Sequence, residues 1–315
     1  MAKSRFVVLS GTSNEPLARE ICDELDVPLT PTYMERFSNE DLSVQIDQEH
    51  PVRKKDVFII QSIYPDPDKT MSELLMMINA AKFASAGDIC VVLPHYSYAR
   101  SDKKDKPHIV VGARFWLDQM IAAGADRFLT MTLHSEAVVG MSDQPIDHLQ
   151  GAQVICDHLA KRDLSNAVAL FDLGQDKRSG GYTDVLGMPS AIYDKRRKGD
   201  TEVEIRSIKG EVAGMDVYIF DDEIASGASI AAIADAIQPY GPKSVQVACV
   251  HGLFCGRAPQ LMADAPIVEV ITTNTIDVPV DRKFPKLTTL SVAPLMAKAI
   301  KRIHEGKSVS GLFRK

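Results

Sequence analysis

Several features are missing from the sequence, and each absence narrows the possibilities. The five cysteines, Cys22, Cys90, Cys156, Cys249 and Cys255, are scattered and form no CxxC pair. An odd, dispersed set points away from a disulfide framework and toward a reducing cytoplasm. Formal net charge is −6, so there is no overall basic field for nucleic acid. No apolar run is long enough to span a bilayer. The N-terminus passes straight into a strand-like apolar stretch at 6–9, with no leader pattern. The expectation is a cytoplasmic protein with neither nucleic acid nor membrane as partner. What is present is ordinary globular material: 315 residues, 45% hydrophobic and 25% charged, enough chain for two domains.

The apolar pattern alternates between strand and helix. Strands are expected at 6–9, 42–46, 57–61, 90–93 and 128–133, with helices at 15–25 (Asn14 as cap), 71–84 and 113–122. The second half repeats the scheme. It has helices at 152–159, 230–237 and 293–304, and strands at 168–171, 190–193, 217–220, 245–250 and 268–273. Alternation of this kind predicts an α/β protein with mostly parallel sheets flanked by helices. Two similar halves suit two related domains, 1–149 and 150–315, better than one large sheet.

The most informative stretch runs from Val217 to Ser229. An apolar strand ends in Asp221 and Asp222, and Ala225, Ser226, Gly227, Ala228 and Ser229 turn the chain into a helix. Ligands of open α/β sheets bind at the carboxyl ends of strands. The small-residue turn can aim backbone N–H groups and two hydroxyls at an anion. The two carboxylates can accept hydrogen bonds from a vicinal diol. Together they describe a cradle for a phosphorylated ribose, although an acidic pair can also simply cap a helix.

Other segments carry chemistry at similar places. Phe37 lies beside Asn39 and Asp41 in a polar loop, where an aromatic ring can stack on a base; a plain loop before an edge strand accounts for it equally well. The run from Tyr96 to His108 contains Arg100, Ser101, Asp105 and several lysines directly after a buried strand. It can hold a polyphosphate or stand as a solvated loop. His134 closes a strand, where it can be structural or bind a metal. Asp172 leads a strand-end turn through Gln175 to Lys177 and Arg178. Lys195, Arg196, Arg197 and Lys198 repel one another and so suit an anion-seeking, mobile loop. Cations of this kind offset charge that spreads over transferring phosphoryl oxygens.

In this order the segments resemble the ribose-phosphate pyrophosphokinases, or phosphoribosyl pyrophosphate synthetases, over nearly the whole chain. The matching segments include Leu9-Ser10-Gly11, Phe37-Ser38-Asn39, Tyr98-Ala99-Arg100, Asp194-Lys195-Arg196-Arg197, Thr273-Asn274-Thr275 and Ser308-Val309-Ser310-Gly311-Leu312-Phe313. The resemblance implies two phosphoribosyltransferase-like domains, the first on the ATP side and the second on the ribose-phosphate side. It also implies transfer of the β,γ-diphosphate of ATP, with Mg²⁺, to the C1 hydroxyl of ribose 5-phosphate. By position, Phe37, Asn39 and Asp41 match the adenine-side motif, and Arg100, Ser101 and Asp105 the ATP-binding segment. His134 and Asp172 match the pair associated with magnesium and ATP. Lys195 and Arg197 match the catalytic cations, Asp221 and Asp222 the ribose carboxylates, and Ser226 to Ser229 the 5-phosphate loop. Arg53, Ser85, Ser308, Ser310 and Phe313 match a phosphate/ADP regulatory site, where Pro51 departs from the pattern. A homo-oligomer, dimer-based and commonly hexameric, is implied as well.

Departures from the family pattern gather around the 5′ end of the acceptor. Ala225 replaces Asp, Ala228 replaces Gly, Ser226 and Ser229 replace Thr, and Gln175 replaces Gly. Ser101, His108, Thr132 and Phe171 also differ. The pattern leaves three further possibilities: the same chemistry on a larger 5′-substituted ribose such as ADP-ribose, a non-catalytic partner of a synthetase, or a phosphoribosyltransferase that consumes the activated sugar.

Overall fold

The computed structural model describes residues 6–172, 176–197 and 203–312. It divides into two compact units. The chain passes from the first to the second at Gln150–Gly151, and Thr275–Asp277 and the described residues 292–312 pack with the first.

The first unit is built on five parallel strands in the order β1-β4-β5-β6-β7. Their ranges are β1 (Phe6–Ser10), β4 (Asp56–Ile60), β5 (Ile89–Leu93), β6 (Arg127–Met131) and β7 (Ile146–Leu149). The central strands read as continuous apolar runs because both faces are covered; every residue of β5 is buried. Covering helices are α1 (Glu15–Leu25), α2 (Pro67–Phe83), α3 (Gly112–Ala123) and α8 (Ala293–His304). Side-chain caps start two of them. Asn14 accepts from the Leu17 amide at 3.3 Å and Asp66 from the Lys69 amide at 3.1 Å. A separate antiparallel ribbon, β2 (Thr32–Arg36) and β3 (Leu42–Ile46), stands apart from the main sheet.

The second unit carries a seven-stranded sheet in the order β10-β9-β8-β11-β12-β13-β14. Its strands are β8 (Ala167–Asp172), β9 (Ser190–Arg197), β10 (Val203–Lys209), β11 (Asp216–Ile224), β12 (Ser244–Gly252), β13 (Glu269–Thr273) and β14 (Leu287–Leu290). Among the described residues, only β9 with β10 is antiparallel in this sheet. The helices are α4 (Ala152–Leu159), α5 (Asp176–Leu186), α6 (Ala228–Ala236) and α7 (Ala258–Asp264). Inward side chains such as Val168, Leu170, Val217, Ile219, Val247 and Val270 form the core with Ile230, Ile233 and Met262. The expected fold, mostly parallel α/β in both halves, is present.

Three local expectations are corrected. Asp172 to Arg178 is not simply a turn, because α5 already begins at Asp176. Lys195 to Arg197 is not loop: it belongs to β9, where cross-strand pairing to β10 holds the backbone, with Arg196 opposite Glu204. The acidic pair does not follow its strand either. β11 stays paired with β12 as far as Ile224, so Asp221 and Asp222 lie within it.

Candidate functional site

In the second unit, candidate groups collect at the carboxyl ends of β8 and β11. These strands are parallel neighbours, with Ile219 opposite Leu170. The pairing of β8 with β11 ends there; Asp221 and Asp172 follow two residues further along their strands, and Asp172 is paired with Tyr193 of β9. Burial pushes the Tyr193 phenol upward, and the negative charges of Asp172 and Asp221 push it further. The phenol therefore stays a neutral hydroxyl. A second buried phenol, Tyr182 of α5, stacks on Phe220 at 4.1 Å. Burial raises it well above its ordinary value, with Cys156, Cys249, Asp221 and Asp222 adding to the effect. Phe171 and Phe220 stack 5.6 Å apart; as the residues before Asp172 and Asp221, they point to the opposite face of the sheet. Asp221 and Asp222 remain half-buried, and the Asp222 amide donates to Asp221 Oδ1 at 2.8 Å.

Immediately beyond lies the anion cradle. Ile224 and Ala225 are anchored through their carbonyls, which accept from Leu253, Phe254 and Cys255 at 2.8–3.2 Å. Gly227 then takes φ of 72° and starts α6. A Cβ there would stand 3.1 Å from Met262 Cε and 3.4 Å from Ala258 Cβ, so α7 fits beneath a glycine. The N-cap Gly227 has no side chain to cap α6, and the Ala228 amide makes a long, 3.5 Å hydrogen bond to Ser226 Oγ. Amides at a helix start of this kind can receive an anion. Ala228 and Ser229 are half-buried in the first turn. Gln175 lies outside the described residues. So do the side chains of Lys195 and Arg197, whose backbones pair with Ile205 and Val203.

In the first unit, Phe37, Asn39 and Asp41 cap the β2–β3 ribbon. The turn is closed by Phe37 N–H to Asp41 O at 3.0 Å and Glu40 N–H to Phe37 O at 2.9 Å. Asn39 Nδ2 donates to Asp41 Oδ2 at 2.6 Å. The Phe37 ring is left 59% exposed, available for a base to stack on. Arg100 ends a short 3₁₀ turn after β5 and is exposed, as is Asp105. Ser101 does a different job: its hydroxyl accepts from Gly112 N at 3.0 Å and its carbonyl from Ala113 N at 3.1 Å, which closes the loop onto the start of α3. His134 is exposed just past the end of β6. Of the regulatory positions, Arg53 and Ser85 meet, Nη1 to Oγ at 3.2 Å. Ser308 Oγ accepts from Ser310 N at 3.1 Å, and Phe313 lies outside the described residues.

Sequence reasoning missed Tyr182, Tyr193 as a partner of carboxylates, and Met262. Only the register and the packing of α5 and α7 bring them to the site; no local motif marks them.

Among the described residues, no group of three or more His, Cys, Asp or Glu side chains could hold a metal ion. Asp172 offers hard carboxylate oxygens, a donor type suited to Mg²⁺, which is commonly held by one or two carboxylates and by substrate phosphates rather than by a protein cage. No helix among the described residues is long and apolar enough to cross a membrane.

Comparison with known proteins agrees with this geometry. Residues 6–124 match the N-terminal domain of ribose phosphate pyrophosphokinase. Residues 184–314 match the phosphoribosyl synthetase-associated domain. The ribose-phosphate pyrophosphokinase of Deinococcus radiodurans is 44% identical over 99% of this chain and 98% of its own. That of Rhodopirellula baltica is 39% identical over 98% of each chain. The crystal structure of phosphoribosylpyrophosphate synthetase from Mycobacterium smegmatis superposes with a TM-score of 0.88 at 33% identity, covering 96% of this chain and 99% of that one. The fold and these relatives define a diphosphate-transferring α/β enzyme built on phosphoribosyltransferase-like units. The chain belongs to the ribose-phosphate pyrophosphokinase family.

Proposed function

We propose that this enzyme transfers the β,γ-diphosphate of ATP to the C1 hydroxyl of ribose 5-phosphate, giving phosphoribosyl pyrophosphate and AMP. The observation that carries the proposal is that Asp172 and Asp221 lie just past the paired stretch of two neighbouring parallel strands, with the glycine-led start of α6 following within a few residues of Asp221. One sugar phosphate can engage both, its hydroxyls on Asp221 and Asp222 and its phosphate on the amides of 227–229 and the serine hydroxyls. The C1 hydroxyl oxygen then bonds the β-phosphorus as the bond from that phosphorus to the α,β-bridging oxygen breaks; AMP leaves with the bridging oxygen, and the hydroxyl proton passes to solvent. Lys195 and Arg197 stabilise charge on the transferring group. Phe37, Asn39 and Asp41 take the adenine side, and Arg100, Ser101 and Asp105 the phosphate side, with Ser101 acting through the shape of its loop. His134 and Asp172 orient Mg-ATP; bound Mg²⁺ supplies neutralising charge on the phosphate oxygens.

ATP groups in 1–149 and ribose-phosphate groups in 150–315 form part of the same proposal, as do a cytoplasmic setting and a dimer-based homo-oligomer. Family membership at full length argues against a non-catalytic partner. The ADP-ribose reading gains no support from the relatives described, which carry the ribose-phosphate pyrophosphokinase name.

The deciding experiment measures AMP release from Mg-ATP with ribose 5-phosphate, with ADP-ribose and with no acceptor. Release that depends on ribose 5-phosphate is expected. Release that depends only on ADP-ribose, or no release at all, overturns the proposal.

A further inference from the structure

β6 ends in an unusual turn. Thr132, which is β-branched, has φ of 41°, a region such residues rarely enter. A conformation of this kind persists where its surroundings over-determine it. Here the neighbouring strand β7 does so twice. The Thr132 amide donates to Leu149 O at 2.9 Å, and the Leu133 amide donates to His148 Nε2 at 2.9 Å. The ladder pairs His148 with Thr130 and Leu149 with Met131. The imidazole therefore reaches past the last paired residue of β6 to take an amide that the ladder leaves behind. Leu133 is also anchored by its side chain, only 4% exposed in the core. The next residue, His134, is exposed.

We infer that His148 is a positioning residue for the diphosphate transfer. As a neutral imidazole accepting at Nε2, it fixes the Leu133 peptide and with it the direction in which the chain presents His134 to Mg-ATP. The inference rests on the role proposed for His134. A hydrogen bond to a backbone amide suits this task, because the backbone sets where the following side chain starts. No signal in the sequence distinguishes His148 from any other half-buried edge-strand residue; the ladder register reveals it.

The test uses the full-length protein and two readouts. The first is steady-state AMP release from Mg-ATP and ribose 5-phosphate. His148→Leu removes the acceptor and is expected to lower kcat on the order of 100-fold, the scale of a misplaced group, with much smaller changes in KM. His148→Gln places its amide oxygen near the position of Nε2 and should restore most of kcat. His148→Asn is too short to do so, and it replaces the leucine variant should that fail to fold. The double variant His134→Ala/His148→Leu should be no slower than His134→Ala alone, because the two residues act in series. The second readout, independent of activity, is amide hydrogen exchange over 130–135, which should quicken in His148→Leu and return toward normal in His148→Gln. Unchanged exchange in His148→Leu, additive kinetic losses, or a His134→Ala variant of normal activity overturns the inference. Absence of AMP release by the unmodified enzyme instead overturns the proposed function, and exchange still reports on the bond.

Discussion

Gly227 shows how one residue serves the candidate site. Its φ of 72° turns β11 into α6, and Met262 and Ala258 occupy the space a side chain would need. Gly227→Ala should cost about 1–2 kcal/mol from the left-handed backbone alone, with the Met262 contact adding to it. Because the same peptide borders the anion cradle, affinity for ribose 5-phosphate should fall along with thermal stability. Calorimetry and ligand titration on the purified variant check both; a variant with unchanged affinity would separate the turn from phosphate binding. Lys195 belongs at the same scale. Lys195→Ala should raise the barrier by about 2.7–4 kcal/mol, the scale of a lost transition-state donor, while ATP affinity changes far less. Comparing kcat with ATP affinity for that variant tests this, and near-normal turnover removes Lys195 from the mechanism. The acidic pair and the glycine turn were legible in the sequence because the chemistry is local. Tyr193 and Tyr182 were not, since only sheet register and helix packing carry them to Asp172, Asp221 and Asp222.

Between elements, one polar cluster ties α4 and the residues after it to β13 and β14. Arg162 grips Glu269 with two hydrogen bonds, at 2.6 and 3.1 Å. Thr288 donates to the same carboxylate at 2.7 Å, and His158 Nε2 lies 2.8 Å from Arg162. The Arg162 hydrogen bonds hold the Glu269 carboxyl below its ordinary value; burial, then Arg162, holds the His158 imidazole below its own. Both folded-state values are depressed. Each group therefore contributes stability that is present above its unfolded pKa and lost as pH falls toward its folded one. The His158 share goes first, below about pH 6.5, and the Glu269 share below about pH 4.3. Glu269→Gln should flatten the lower part of this profile, as denaturant melts across pH would show, and an unchanged slope would refute the assignment. Strands in the sheet interiors were readable because continuous apolar runs have few other uses. β2, β7, β10 and β14 escaped because they are peripheral: Thr-Tyr-Met-Glu-Arg and Leu-Thr-Thr-Leu are half exposed and show no strong period. α5 escaped because Ser-Gly-Gly lies in its middle and gives little helical signal.

At the scale of the whole chain, the notable feature is its return. Residues 293–304 read plainly as an amphipathic helix, but nothing in the pattern says which core it joins. In the fold, α8 packs against α1 in the first unit, although about 140 residues of the second unit intervene. Asp56 at the start of β4 lies 2.6 Å from His304 Nδ1. The Phe6 and His304 rings are 4.8 Å apart, and Ser62 Oγ donates to Thr275 O at 2.6 Å from the other returning segment. α8 buries Ala293, Met296, Ala297, Ala299 and Ile300. Met296 and Ile300 alone are worth roughly 3–6 kcal/mol of apolar burial, a large part of the stability of an ordinary domain. Ending the chain at residue 291 should therefore unfold or loosen the first unit while leaving the seven-stranded sheet of the second largely intact. Hydrogen exchange should show α1, β1 and β4 losing protection and β11 to β13 keeping it. Such a variant would retain the ribose-phosphate cradle but lose the platform for Phe37, Arg100 and His134. It should still bind ribose 5-phosphate and release no AMP. Equal loss of protection in both units would mean that α8 supports the second core as well. Undisturbed protection in α1 would mean that the burial on α8 does not govern the first.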